Sequence, residues 1–450
     1  MQTSSMPTLL RQTCSLVLVG FSLSASFCLS QAFAADLAWP DRSGPEGNGH
    51  AAERDAKGVP FEWNEADGTN IAWKIALEGE GHSSPIIGQG VIWLTSATKN
   101  GKKQYLYAID ERSGKVLHHK LLFENEAPEP LANAVNSYAS PSCVLTEDAL
   151  FVHFGTYGTA RIDPSTAEIV WQRRDIKCRH FRGPGSSPVL FENLLILTFD
   201  GIDQQFLMAL NIETGETVWR TDRSTNYGDL DQNGKPRGDG DLRKAYGTPL
   251  VVQVGDRWQV VSVGSRAGFG YDARTGKEIW TFTHDDYNAA AKPLTFGNST
   301  IINTGSNGAN LLAIRLDEST QGNIDKTHVL WNRPRGNAHL ANPLLVGDRV
   351  YQVTDSGVCV CVDAKTGEEI WTARIGGKFV ASPIAVNGLI YVCNEAGVAT
   401  VLRDGDEYVV VAQNEIKEGM RATPAVSQGA LFLRTFGHLY KISNRAKAAE

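Results

Sequence analysis

A nine-residue motif repeats along the chain and limits the folds that the chain can adopt. Its clearest copy is DAKTGEEIW from Asp363 to Trp371, and other copies end at Trp280, Trp219, Trp171 and His118. The leading Asp or Asn can accept hydrogen bonds from backbone N–H groups two residues on, and the Gly can take a positive φ. The motif therefore predicts a tight hairpin loop. Its closing Trp predicts a large apolar side chain between one sheet and the next.

A proline marks the start of each repeating unit. It precedes a short apolar strand at eight places, namely Pro85, Pro141, Pro188, Pro249, Pro293, Pro343, Pro383 and Pro424. Each unit continues with a second and a third strand, the motif, and a fourth strand that ends in Trp. Four short strands in each period of about forty or more residues are typical of a β-propeller blade. The sequence predicts an all-β protein, an eight-bladed propeller of four-stranded antiparallel blades.

The two ends of the repeat region complement each other. The eighth unit stops at LYKI, with no room for a fourth strand, whereas an unassigned strand from Ile71 to Leu77 precedes the first proline. Trp73 stands in that strand at the position of the closing Trp. We therefore predict that this N-terminal strand closes the ring as the outermost strand of the eighth blade. The propeller would span residues 71–443, and residues 444–450 would form a C-terminal tail.

The residues before the propeller fall into two parts. Residues 1–34 have a basic start, an apolar stretch and the small-x-small pattern Ala32-Phe33-Ala34, which predicts a signal peptide cleaved before Ala35. A membrane anchor is the alternative interpretation, and no other stretch is long and apolar enough to span a bilayer. Residues 35–70 are predicted to form an irregular arm that packs on the propeller through Trp39 and Trp63. We expect an exported protein of the periplasm or cell envelope, or a secreted one.

The net charge gives no reason to expect some classes of partner, and the cysteine content leaves one disulfide pairing open. The formal net charge of -7 gives no reason to expect binding to nucleic acid or to an anionic membrane surface. Two of the seven cysteines lie in the predicted signal peptide. Cys359, Cys361 and Cys393 are expected to be small buried residues. A disulfide between Cys143 and Cys178 is possible in an exported protein.

The longer form of the motif, Ala-x-Asp-x-x-x-Gly-x-x-x-Trp, resembles the tryptophan-docking repeat of quinoprotein dehydrogenases and of BamB, an outer-membrane assembly lipoprotein. Both are eight-bladed rings, and the resemblance covers nearly all of residues 71–442. The stretches WPDRSGPEGNGH, HFRGPGSSP, FDGIDQQF and ALFLRTFGHLYKI also resemble exported PQQ-like repeat proteins of planctomycete-type bacteria. The resemblance implies a PQQ-like propeller in the cell envelope.

The resemblance to quinoprotein dehydrogenases would imply a quinone, a Ca²⁺ held by acidic and amide side chains, an Asp base and a pair of adjacent cysteines. In this chain Val360 separates Cys359 from Cys361, and no Cys-x-x-Cys-His segment for haem is present. The common hydrolase, zinc and nucleotide motifs are absent as well. We therefore favour a non-catalytic scaffold without a cofactor that binds an envelope protein, a peptide or another ligand. The alternative is a divergent PQQ-dependent alcohol or sugar dehydrogenase that holds PQQ and Ca²⁺.

Candidate ligand residues stand near the proline marks, at the expected mouth of the central funnel. They are His82, Tyr138, Arg182, Tyr246, Lys292 and Arg421. Aromatic and cationic groups at a channel mouth can hold an anionic or planar ligand or a peptide strand. In the alternative interpretation they hydrogen-bond the crowded inner ends of the blades.

An acidic insertion, DLDQNGKPRGDGD, resembles the first half of a calcium loop. Asp229, Asp231 and Asn233 alternate before Gly234, and Asp239 and Asp241 are further oxygen donors. Gly240 stands where a bidentate Glu is expected, and Pro236 interrupts the loop. A weak Ca²⁺ site and a solvated acidic turn both remain open.

Overall fold

The computed structural model describes residues 37–306 and 308–444, and these form eight β-sheets in a ring. Every sheet has four antiparallel strands, and one sheet carries an added short strand. The predicted eight-bladed propeller is confirmed. The predicted signal peptide, residues 1–34, lies outside the described residues.

Blades 1 to 4 follow the chain without interruption. Blade 1 contains Ile86–Gly88, Val91–Ala97, Lys103–Asp110 and Val116–Glu124, and blade 2 contains Val144–Leu145, Leu150–His153, Thr159–Asp163 and Glu168–Arg173. Blade 3 contains Val189–Phe191, Leu194–Asp200, Gln205–Asn211 and Thr217–Asp222. Blade 4 contains Leu250–Val254, Arg257–Val263, Ala267–Asp272 and Glu278–Thr283, with Gly322–Asn323 added in parallel at its edge.

Blades 5 to 8 repeat the same order. Blade 5 contains Leu294–Phe296, Ser299–Asn303, Leu311–Arg315 and Val329–Arg333, and blade 6 contains Leu344–Val346, Arg349–Val353, Val358–Asp363 and Glu369–Arg374. Blade 7 contains Ile384–Val386, Leu389–Cys393, Val398–Arg403 and Val410–Glu415, and blade 8 contains Ala425–Ser427, Ala430–Arg434, His438–Ser443 and Ile71–Ala76. The short helical elements are Glu53–Ala56, Gly155–Tyr157 and Arg237–Arg243. No helix among the described residues is long and apolar enough to cross a membrane.

The N-terminal strand closes the ring as predicted. Ile71–Ala76 pairs antiparallel with His438–Ser443, and Trp73 stands opposite Lys441. The Trp73 indole N–H also donates a hydrogen bond to the carbonyl of Arg112 in blade 1 at 3.1 Å. The first and last parts of the propeller are therefore held in one sheet, and that sheet is joined to the blade that follows it.

The repeated motif forms a hairpin loop that receives the tryptophan of the preceding blade. Asp363 Oδ1 accepts hydrogen bonds from the N–H groups two and three residues on, at 2.8 and 2.9 Å. Gly367 takes a φ of 73°, and a Cβ atom there would lie 2.5 Å from the ring of Trp331. The Trp331 indole N–H donates to the carbonyl of Ala364 at 3.0 Å. The glycine thus provides both the turn and the space for the ring.

The same contact joins most neighbouring blades. Indole N–H groups donate to carbonyl oxygens of the next blade in the pairs Trp171 to Ile212, Trp219 to Ala273, and Trp371 to Gly405. Trp280 differs, because its N–H donates to Gln259 within its own blade at 2.9 Å.

A second set of hydrogen bonds joins the blades close to the channel axis. Seven backbone N–H groups donate, at 2.8 to 3.1 Å, to the Ser, Thr or Asn side chain at the equivalent position of the next blade. We call these positions the axial ring, and its bonds run from Ser84 to Ser142, Ser142 to Ser187, Ser187 to Thr248, Lys292 to Asn342, Asn342 to Ser382, Ser382 to Thr423, and Thr423 to Ser84. The remaining junction lies between Thr248 and Lys292, where the lysine side chain has no oxygen to accept a bond.

Replacing one acceptor of the axial ring will measure its contribution to stability. Ser187→Ala removes the partner of the buried Ser142 N–H, so we expect the free energy of unfolding to fall by about 1 to 3 kcal/mol. Ser187→Thr keeps a hydroxyl of the kind used at Thr248 and Thr423, and should restore most of the loss. Urea unfolding of both variants provides the measurement. Equal stability of Ser187→Ala and the unchanged protein would contradict a structural role for the ring.

The N-terminal arm crosses the channel instead of lying on the outside of the ring. Trp39 forms two backbone hydrogen bonds with Ile87 of blade 1, at 2.8 and 2.9 Å. Further along the arm, Gly49 and Ala51 bond to Ala385 of blade 7 at 2.9 and 3.0 Å. The arm therefore pairs with the first strands of two different blades. Trp39 and Trp63 are 0% and 4% exposed, in agreement with their predicted packing role.

Candidate functional site

The propeller encloses a central cavity of about 240 Å³. Each blade contributes the residue two positions before its axial-ring residue, and these eight are His82, Ser140, Gly185, Tyr246, Ala290, Leu340, Val380 and Arg421. All eight are partly exposed, whereas seven of the eight axial-ring residues are buried. The eightfold repeat thus presents one residue from every blade to a single space.

The arm adds an arginine to this cavity. Arg42 lies between the arm's contacts with blade 1 and its contacts with blades 5 to 7, and its side chain lines the cavity. Burial lowers the pKa of Arg42 from its usual value. Its guanidinium makes no hydrogen bond or ion pair to the residues that the structure describes. A partly buried arginine without an acceptor is costly, because its lost hydration is not replaced.

Two further arginines line the cavity, and both have carboxylate partners. Arg421 Nε donates to Glu395 at 3.1 Å, and Arg421 Nη1 donates to the carbonyl of Val135 at 3.2 Å. Arg182 lies 3.3 Å from Asp241, which also accepts a hydrogen bond from the buried ammonium of Lys244. Three arginines and one carboxylate, Asp355, therefore line the cavity.

The histidines at the cavity have different environments. Burial, with the nearby charges of Arg421 and Arg434, lowers the pKa of His82 to about 3, so this imidazole is neutral at physiological pH. His339 instead lies 2.8 Å from Asp355 through Nδ1, and its Nε2 lies 3.2 Å from the carbonyl of Asn288. The carboxylate of Asp355 is thus already paired with His339.

Several buried polar atoms at the cavity have no hydrogen-bond partner among the described residues. They are Nδ1 of His82, Nε of Arg182, the hydroxyl of Tyr246 and Oδ1 of Asn288. Burial raises the pKa of Tyr246, so its hydroxyl stays protonated and can donate. Buried polar groups in native proteins are nearly always paired. These atoms and Arg42 form a set of unused hydrogen-bonding groups around one space.

The sequence prediction named six funnel residues, and the structure places four of them at the cavity. His82, Arg182, Tyr246 and Arg421 line it. Tyr138 does not line the cavity. In blade 2 the axial-ring residue is Ser142, which follows Pro141, whereas in the other blades the axial-ring residue precedes the proline. This displacement of two residues puts Ser140 in the cavity. Tyr138 donates to the carbonyl of Glu129 at 2.9 Å instead.

Lys292 also lies away from the cavity. It occupies the axial ring itself, and its ammonium donates to the carbonyl of Gly47 in the arm at 2.9 Å. Arg42 was missed by the sequence analysis, because the path of the arm through the channel is not encoded in any local pattern.

The carboxylates of the acidic insertion have partners within the protein. Asp229 is held by Arg243 at 2.5 and 2.9 Å, and Asp231 accepts backbone N–H groups of its own turn. Asp241 contacts Lys244 and Arg182. No three or more His, Cys, Asp or Glu side chains are placed to hold a metal ion within residues 37–306 and 308–444. Asn233 and Asp239 lie in the same loop and complete no group of metal ligands there. The carboxylates of the loop form ion pairs or accept hydrogen bonds within turns.

The cysteines have structural positions. All five outside the predicted signal peptide are buried and unpaired, so the possible Cys143–Cys178 disulfide is not formed. Burial raises the pKa of Cys143, Cys359, Cys361 and Cys393 to about 12. Cys359 and Cys361 pack beside Trp371 in blade 6 and do not line the cavity.

The cavity residues do not fit a quinone centre with a calcium ion. Asp355 is the one carboxylate among the residues lining the cavity, and it is paired with His339. A calcium site requires six to eight oxygen ligands, which these residues do not provide. The positive charge of the cavity could accept a carboxylate of a quinone, but the metal-binding and cysteine parts of such a centre are not assembled here.

Two curated proteins share stretches of sequence with this chain. A lupanine 17-hydroxylase [cytochrome c] from Pseudomonas sp is 30% identical over 129 residues, which is 26% of this chain and 16% of that protein. A tetrathionate hydrolase from Acidithiobacillus ferrooxidans is 26% identical over 148 residues, which is 29% of this chain and 30% of that protein. The chain thus spans less than a third of the length of either relative.

Solved structures share the fold over most of the chain. BamB from Moraxella catarrhalis has a TM-score of 0.58 and 12% identity, covering 83% of this chain and 99% of that one. A europium-containing methanol dehydrogenase has a TM-score of 0.64 and 11% identity, covering 91% and 98%. A computationally designed protein, Ika8, has a TM-score of 0.54 and 10% identity, covering 82% and 98%. At these identities the likeness concerns the fold alone.

A sequence model of one family covers most of the propeller. The model describes the outer membrane protein assembly factor BamB, and it matches residues 42–182, 203–335 and 322–421. These ranges cover well over half of the chain and include the arm residue Arg42 and strands of all eight blades, although three strands of blade 8 lie beyond residue 421. The chain belongs to this BamB family of PQQ-like β-propellers.

Proposed function

We propose that this protein is an exported, non-catalytic binding propeller of the cell envelope that takes an anionic group into its central cavity. The observation that carries the proposal is Arg42, a cavity-lining arginine without an acceptor. Arg182 Nε and the Tyr246 hydroxyl add two donors without partners at the same space. An anion bound there would replace the hydration that these groups lose on folding.

The wider role follows from the family and the shape of the molecule. A ring of eight blades around a central cavity suits a scaffold that holds a ligand or a partner protein of the envelope, and the BamB family supports a general role in protein interaction. A chemical step has less support, because the metal ligands and cysteine pair expected of a quinoprotein dehydrogenase are not assembled. The PQQ-dependent oxidoreductase therefore remains the competing function that the experiment must address.

Anion binding by the purified protein tests the proposal. We expect acetate, titrated at constant ionic strength against chloride, to raise the melting temperature and to give a saturable heat in calorimetry. A ligand at 100 times its Kd stabilises the folded state by about 2.7 kcal/mol. Arg42→Gln should weaken acetate binding at least tenfold, because it removes a cavity-lining charge that makes no hydrogen bond or ion pair to a described residue.

A matched control makes the same charge change elsewhere. Arg274→Gln removes an exposed arginine that pairs with Glu192 at 2.6 Å, far from the cavity, and should leave acetate binding unchanged. Equal acetate binding by the unchanged protein and by Arg42→Gln would overturn the proposal. A separate sample is incubated with pyrroloquinoline quinone and Ca²⁺, and quinone that stays bound through gel filtration would favour the oxidoreductase instead.

A further inference from the structure

The wall of the central cavity is divided between apolar and hydrogen-bonding residues. Ala290, Leu340 and Val380, from the consecutive blades 5, 6 and 7, present apolar side chains. Blades 8, 1 and 2 present Arg421, His82 and Ser140 instead. In an eight-membered ring each blade faces the fourth blade after it, so Ala290 faces His82 and Leu340 faces Ser140. A ligand in this space meets an apolar wall on one side only.

The unused donors lie away from the apolar wall. Arg182 precedes blade 3 and Tyr246 precedes blade 4, while Arg42 rises from the arm. Arg421 has fewer N–H groups free to bind a ligand, because its nitrogens already bond to Glu395 and to the carbonyl groups of Ala134 and Val135. An anionic head group would therefore bind Arg42, on the side of the cavity that Arg182 and Tyr246 line.

The charges around the cavity set the charge of the ligand. Among the three arginines that line it, Arg182 and Arg421 are paired with the carboxylates of Asp241 and Glu395. Arg42 lies near the charge of Asp41 but makes no hydrogen bond or ion pair to a described residue, so its guanidinium can bind one carboxylate. Asp355 also stands beside Leu340, and its Oδ1 accepts the Leu340 N–H at 3.2 Å, so a second negative charge on the ligand would be repelled at that wall.

The size of the cavity limits the rest of the ligand. Its volume of about 240 Å³ is below the roughly 300 Å³ at which pockets begin to hold drug-sized molecules. One charged group and one ring, or one short aliphatic chain, fill such a space.

We infer that the ligand is a monocarboxylate with an apolar body, its carboxylate on Arg42, on the side lined by Arg182 and Tyr246, and its body against Leu340 and Val380. This inference rests on the proposed function and adds the chemical class of the ligand. The carboxylate is planar and matches the two parallel N–H groups of an arginine. The apolar body replaces water at the wall of blades 5 to 7. Two sources share this chemistry, a free small acid and the C-terminus of a polypeptide that ends in an apolar residue.

A series of acids that differ only in the apolar body tests the inference. We expect benzoate to bind at least tenfold more tightly than acetate in calorimetry, and benzamide, which has the ring without the charge, to bind at least tenfold more weakly than benzoate. Leu340→Asn should remove the preference for benzoate over acetate. Both Leu340 and Val380 are partly exposed to the cavity, so Val380→Ser provides a second variant if Leu340→Asn fails to fold.

The outcomes separate the two proposals. Acetate and benzoate binding with equal affinity would overturn the apolar part and leave the anion site standing, whereas binding of neither would overturn both. Phosphate binding more tightly than benzoate would overturn the monocarboxylate. An acetylated tripeptide that ends in Leu, compared with its C-terminal amide, distinguishes the sources: peptide binding that requires the free carboxylate points to a polypeptide end, and benzoate binding alone points to a small acid.

Discussion

A chain that begins at Gly79 will not melt cooperatively, whereas the intact protein will. The deletion removes the strand Ile71–Ala76, which supplies the fourth strand of blade 8 and five paired residues to its neighbour. It also removes Trp73, whose ring lies 5.9 Å from that of Phe432 and closes over Gly114 of blade 1. Blade 8 would be left with an unpaired edge and blade 1 with an empty tryptophan site, so the ring loses its closure. Circular dichroism during heating provides the measurement.

The control for this deletion is a chain that begins at Ile71. It lacks the arm but keeps the closing strand, so we expect it to melt cooperatively at a reduced temperature. The comparison separates closure from the packing of Trp39 and Trp63. The same melting temperature for the chain that begins at Gly79 and for the intact protein would contradict the closure.

Lowering the pH from 7 to 5 will destabilise the protein by several kcal/mol. Burial lowers the pKa of His153 to about 3 and that of His180 to about 4, and both are nearly inaccessible, at 2% and 7% exposure. His180 Nε2 accepts the Thr156 N–H, a role that only the neutral ring can have. In the unfolded chain these histidines bind protons below about pH 6.5, whereas in the folded protein they do not. Stability is therefore present above pH 6.5 and is lost as the pH falls, by about 2 kcal/mol for each of the two histidines between pH 7 and 5.

Urea unfolding at pH 5, 6, 7 and 8 measures this dependence. The unfolding free energy should change little between pH 7.5 and 8, because these histidines are then neutral in both states. The double variant His153→Gln and His180→Gln should show a shallower loss between pH 7 and 5, even if its stability at pH 8 is lower. A double variant that loses stability as steeply as the unchanged protein would rule out these two histidines as the cause.

The central cavity shows how the family fold can hold a specific site. The strands and the tryptophan contacts repeat from blade to blade, and the residue that faces the channel is free to differ in each. His82, Tyr246, Leu340 and Arg421 occupy one position in four blades and have four different chemistries. A site of this kind is assembled from single residues far apart in the chain.

Much of the architecture could be predicted because it depends on local chemistry. The Asp and Gly of each motif form their turn within a few residues, and the Trp position follows from the motif length. The number of motifs and proline marks then indicated eight blades, and the missing fourth strand of the last unit indicated closure by Ile71–Leu77. The structure confirms the eight blades and the closure.

The composition of the site depended on contacts between distant residues. Pro141 precedes its axial-ring residue, whereas the other prolines follow theirs, and this difference replaces Tyr138 with Ser140 at the cavity. Lys292 was predicted at the funnel from its position beside Pro293, but it bonds to the arm at Gly47.

The sequence by itself determined the fold class, the number of blades, the turns and the closing strand, because each follows from a periodic pattern or from short-range hydrogen bonds. Only the tertiary structure decided that the arm crosses the channel and that Arg42 meets Arg182 and Tyr246 in one cavity. Those placements bring together residues from distant parts of the chain, and they depend on the register of each first strand, which no local pattern specifies.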